Sequence, residues 1–251
     1  MKKNAIFLIT ILLILSCNIS NKTTKTSDNL VDTILTNVNG KGLELTIEFE
    51  SGKKHNYPSF VFWIETTEGK FIQTLYTTKS VATGTFGHAA DGDGKWKNEE
   101  GEAIRPASLP YWLNKRGVIS RDTLLVPTKE LPIPDAYTGA TPSSNFVLKT
   151  KSDKTLDSKF VLLMEINQPW DWNEFWTNNK YPDNSNYKTS CQPSVVYAVS
   201  IDLDSDETEY YLNPIGHGHY AGENGRLYTD LSTMTTALQI AKKIKVNIKN
   251  N

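Results

Sequence analysis

FVFWIETTEGKFIQTLYTTK, residues 60 to 79, is the stretch on which the fold turns. Phe60 to Ile64 is a nearly continuous apolar run, and Phe71 to Tyr76 alternates apolar with polar side chains. Both halves read as strands, and Glu68-Gly69 between them supplies turn chemistry, so the stretch is a β-hairpin. Upstream, LELTIEF sets Leu43, Leu45, Ile47 and Phe49 against Glu44, Thr46 and Glu48, the pattern of a half-buried strand. Downstream, strands are expected at Asn145 to Lys149, Phe160 to Ile166, Ser194 to Leu203, Glu209 to Leu212 and Ile244 to Ile248. A helical pattern is confined to Thr235 to Lys243.

Two long segments interrupt the strands. Residues 79 to 134 are rich in Gly, Pro and charge, and residues 167 to 192 are rich in aromatic residues and Asn. Short strands at fairly regular spacing with such excursions predict an all-β chain, an immunoglobulin-like β-sandwich with long loop insertions.

The N-terminal twenty residues, MKKNAIFLITILLILSCNIS, have the anatomy of a signal peptide. Lys2 and Lys3 precede an apolar stretch from Ile6 to Leu15 that is too short to span a bilayer. Ile14-Leu15-Ser16-Cys17 resembles the lipobox of bacterial lipoproteins, which implies removal of residues 1–16 and acylation of Cys17. Residues 17–40 then read as a flexible tether, with a short ordered part at Val31 to Leu35, and residues 41–251 as a single sandwich domain. The expected location is the cell envelope, lipid-anchored at the outer membrane on its periplasmic face or at the cell surface. If Cys17 is acylated, Cys191 is left alone, no intramolecular disulfide can form, and Cys191 reads as a buried structural thiol. With 27 basic and 28 acidic side chains the chain has no net field to gather nucleic acid, so no nucleic-acid partner is expected.

The 60–79 hairpin resembles the first hairpin of a family of predicted periplasmic proteins whose fold is similar to the immunoglobulin-like domain of the flagellar hook-capping protein. That family continues to a Trp-containing loop, an Asp-x-x-Ser/Thr-Gly-Ala-Thr segment and two strands. Trp112, Asp135 to Thr141, Phe146 to Lys149 and Phe160 to Glu165 follow the same order here. The likeness spans roughly residues 43 to 170 and implies the same sandwich.

Asp135, Thr138, Gly139, Ala140 and Thr141 also resemble the motif at which bacterial flavin transferases attach FMN, through its phosphate, to a hydroxyl. The resemblance implies covalent FMN on Thr141, with a flavin transferase and envelope redox proteins as partners. Small neighbours at Gly139 and Ala140 would give a modifying enzyme access to that hydroxyl. The same residues suit a tight turn into a strand, with Asp135 accepting a backbone N–H, and Pro142 directly follows.

Two further constellations are candidates. Trp170, Trp172 and Trp176 lie beside Asp171 and Asn173 and could form a stacking platform for a sugar or a flavin ring, or plug one end of the sandwich. His217 and His219 would share one side of a strand as a metal pair, or line a pocket beside the tryptophans. The spacing supplies no definite third ligand, so no metal centre is assigned. The loop at Asp91 and Asp93 begins like a calcium site, but Lys95 and Trp96 exclude an EF-hand. No catalytic residues are assigned. The expectation is a component of flavin-linked electron transfer, with a ligand- or glycan-binding or structural envelope lipoprotein as the alternative.

Overall fold

A computed structural model describes residues 31–92, 95–120, 122–133 and 138–249. In chain order, the strands before the first insertion are β1 (Asp32–Leu35), β2 (Glu44–Ser51), β3 (Ser59–Glu65) and β4 (Phe71–Thr78). The insertion contributes short pieces, β5 (Thr85–Phe86), β6 (Gly101–Glu102), β7 (Ile119–Ser120) and β8 (Thr123–Leu124), and helices α1 (Lys79–Thr83) and α2 (Pro110–Arg116). Then come β9 (Thr138–Gly139), β10 (Phe146–Lys151), β11 (Lys159–Asn167), α3 (Ser185–Ser190), β12 (Val195–Asp202), β13 (Glu209–Tyr211), β14 (Asn213–His217) and β15 (Ala241–Ile248).

These strands make an all-β sandwich. One sheet runs β1-β10-β2-β15-β13, the other β14-β12-β11-β3-β4-β9. Leu45, Ile47 and Phe49 of β2 face inward, as their alternation predicts, and meet Phe60, Phe62 and Ile64 of β3 in one core. Phe146 stacks on Phe49 at 4.8 Å and on Phe60 at 5.2 Å between ring centroids, joining the two sheets. Each such ring, fully buried, contributes about 2–3 kcal/mol.

β3 is buried along its whole length. Val61 and Trp63 point away from the main core into a second one, where the first insertion lays Val81, Leu109, Trp112 and Leu113 against the outer face of the sheet. Covering on both faces is the reason the 60–64 run is continuously apolar while β2 alternates. The hairpin closes at the expected turn: Gly69 has a left-handed φ of +79°, and its N–H donates to Thr66 O at 2.9 Å.

Local detail departs from expectation at Thr235 to Lys243 and at the end of the tether. Thr235 to Lys243 is not a helix: a single 3₁₀ turn (Ala237–Gln239) leads into β15, which pairs with both β2 and β13. Its register shifts between Ala241 and Lys243, which interrupts the alternation. Ladder bonds on two sides outweigh the weak helical preference of that segment. The glycine-flanked stretch before His217 is strand β14, paired with β12 across a bulge at Val196/Tyr197. The ordered part expected at Val31 to Leu35 is β1, paired parallel with β10, and Asn37 Nδ2 donates to Lys151 O at 2.7 Å. The domain therefore begins before residue 40. Cys17 lies outside the described residues.

Candidate functional site

At one end of the sandwich four chain segments meet around a groove of about 510 Å³: the approach to β3, the first insertion, the chain after β9, and the start of the second insertion. Tyr57, Phe86, His88, Arg105, Thr141 and Trp170 are among the residues lining it.

Thr141 is placed by an edge strand. β9 pairs parallel with β4, Thr138 beside Thr77 and Gly139 beside Thr78. The Tyr76 hydroxyl donates to Ala140 O at 3.2 Å, and burial pushes the Tyr76 pKa up to about 12, which keeps it a neutral donor. A Cβ on Gly139 would lie 3.0 Å from that hydroxyl, so a larger residue here would require the Tyr76 ring to give way slightly. Thr138 and Ala140 are exposed and Thr141 is half-buried in the groove wall. Asp135 lies outside the described residues.

The aromatic wall is held in costly backbone geometry. Tyr57 and Trp170 have φ of +48° and +56°, the left-handed region that side chains other than glycine seldom adopt. Tyr57 is 64% exposed. The Trp170 ring meets His88 edge-to-face at 4.7 Å. The His88 carbonyl in turn accepts a hydrogen bond from Arg105 Nη2 at 3.0 Å. The Arg105 guanidinium lies 4.2 Å from the Phe86 ring centroid and 5.0 Å from that of Trp96.

The candidates from the sequence are divided between two places. Thr141 and Trp170 come together. Trp172 is exposed, and Trp176 is buried in a closed cluster with Tyr187, His217 and Tyr220. Trp170 and Trp172 thus form no common platform. His217 stacks on Tyr228 at 5.2 Å, and its Nδ1 pairs with the Gly218 carbonyl at 2.7 Å. His219 Nδ1 accepts the backbone N–H groups of Ala221 and Glu223. Desolvation lowers both histidine pKa values, and their Nδ1 atoms bond the loop backbone rather than the groove. Among the described residues, no three metal-ligating side chains converge.

Glu165 has an active-site-like pKa, pushed up to about 7 by desolvation, yet it is sealed inside the protein. It accepts bonds from Ser194 Oγ at 2.5 Å, Tyr111 N at 3.1 Å and Trp112 N at 2.8 Å. It thereby caps α2 from β11 and fastens the insertion to the sheet. Cys191 is fully buried, and desolvation, with Asp171 adding to it, lifts its thiol pKa to about 11, which keeps it an inert thiol.

Tyr57, Phe86 and Arg105 had no signal in sequence. Tyr57 precedes Pro58, which favours extended backbone, and Arg105 lies in a segment without periodicity. Comparison of the chain with protein-family models, with curated proteins and with solved structures finds no match.

Proposed function

We propose that this protein is a lipid-anchored flavin carrier of the cell envelope, bearing FMN on Thr141 with the ring held in the groove. One observation carries the reading: Thr141 and Trp170, far apart in sequence, line the same groove. A groove of about 510 Å³ lies within the range of roughly 300–1,000 Å³ usual for small-molecule sites. Tyr57 and Trp170 offer ring faces for stacking, Arg105 offers positive charge, and the half-buried Thr141 hydroxyl is the attachment point. When bound, the flavin supplies electron transfer between donor and acceptor proteins. The chain's own contribution is to tether it, orient it and shield one face from water. Acylated Cys17 would hold the carrier at the membrane, in keeping with the resemblance to periplasmic sandwich proteins.

The test is co-expression, with export, alongside a flavin transferase shown to be active on a known acceptor. A fluorescent band on a denaturing gel and an intact mass increased by one FMN are expected, both lost in Thr141→Ala. Absence of the adduct sinks the reading. A second reading, reversible capture of a ligand or glycan on the aromatic loop, draws on the exposure of Trp172 and Phe175. It predicts binding that Thr141→Ala leaves intact and Trp172→Ala weakens.

A further inference from the structure

Arg105 brings to the groove a charge whose presence a covalent bond at Thr141 does not by itself require. The residue is only 6% exposed, and its Nε is buried without a hydrogen-bond partner. Among the described residues no carboxylate pairs with it, and none lines the groove. Desolvation lowers its pKa only to about 10, so it carries its charge at neutral pH. The rings of Phe86 and Trp96 attract a cation but do not neutralise it. Taking a cation out of water without a counter-ion is strongly unfavourable, and such a charge persists where an anion compensates it. The two left-handed aromatic residues add a second, independent sign, because backbone strain of this kind collects at ligand clamps. Through the His88 carbonyl and the His88–Trp170 ring contact, the cation and the aromatic wall form one connected surface.

We infer that the groove reversibly takes an organic phosphate that carries a planar aromatic ring, such as a flavin phosphate, with Arg105 reading the charge and Tyr57 and Trp170 the ring. The inference rests on the groove being the ligand site proposed above, but not on a covalent bond to Thr141.

The test uses full-length protein made without a transferase, titrated with FMN and with riboflavin, which share the ring and differ in the phosphate. FMN is expected to bind at least about tenfold more tightly, the scale of a charge-assisted contact, with the preference falling to within about twofold in Arg105→Met. Arg105→Met removes the charge and keeps the bulk, and Arg105→Lys, which keeps the charge without the planar fork, should retain part of the preference. Should either variant fail to fold, melting of the unaltered protein decides: FMN should raise Tm and riboflavin at equal concentration should raise it less. Equal affinity for the two flavins, binding of neither, or a preference that survives in folded Arg105→Met overturns the inference. An Arg105-dependent preference without any adduct on Thr141 removes only the attachment. An adduct without that preference removes only the anion site.

Discussion

Two aromatic regions lie at the same end of the larger sheet, where β3 and β12 begin and β11 and β14 finish, and they are built on opposite principles. In the cluster of Trp176, Tyr187, His217, His219 and Tyr220, every ring packs on another ring, and the polar edges of Trp176 and Tyr187 are answered internally. Trp176 Nε1 donates to Thr233 Oγ1, and the Tyr187 hydroxyl donates to Thr177 O. Behind this cluster the buried Glu165 has three donors, and a Cβ on Gly218 would come within 3.1 Å of its carboxylate. In the Thr141 groove Tyr57 and Trp170 are strained and partly exposed, and the buried Arg105 holds, among the described residues, a single hydrogen bond. An abundance of aromatic residues therefore does not mark a binding site. What separates groove from core is whether buried charge and ring faces find their partners inside the chain.

The largest expected effect that sharpens this contrast is in the closed region. Trp176→Ala should cost about 3–5 kcal/mol in denaturant unfolding, because the ring is only 8% exposed and its removal leaves a cavity and an orphaned hydroxyl. A cost below about 1 kcal/mol would show that the cluster is not a core.

Next comes Glu165. Its folded pKa lies near 7, above the ordinary 4.5, so between those values the folded state keeps a proton that the unfolded chain has released. The stability it contributes is fully present below pH 4.5 and is lost as pH rises through 7, a change of about 3 kcal/mol. Glu165→Gln cannot ionise, so the stability difference between the two proteins, measured by chemical unfolding from pH 4.5 to 8, should change by about that amount. A flat difference would mean that the three donors keep Glu165 ionised throughout.

Smaller effects belong to the groove. Tyr57→Gly relieves a left-handed side chain and should raise stability by up to about 1 kcal/mol while weakening flavin binding. Loss of both stability and binding would break the picture of strain kept for function. The smallest is Trp172→Ala: at 58% exposure this ring should contribute within about 0.5 kcal/mol, as thermal melting would report.

The strands were legible because each has one or two faces to bury, and burial writes itself as alternation in β2 or as an apolar run in β3. Helix α2 was not, since seven residues are too few for a helical period, and its cap comes from Glu165 on a distant strand. The motif around Thr141 and the tryptophan loop could each be picked out by residue type. Their relation could not: Trp170 joins the groove, Trp176 the core, and Trp172 neither.

By itself, then, the order of residues determined the fold class, the hairpin at Gly69 and the elements around which the domain closes, because local hydrophobic pattern and turn chemistry act between near neighbours. Only the tertiary structure decided that Thr141, Trp170, His88 and Arg105 share one groove, and that His217 and His219 do not. Those contacts are set by long loops packing against a finished sheet. Whether a buried charge finds a partner there depends on residues dozens of positions away, which no local pattern records.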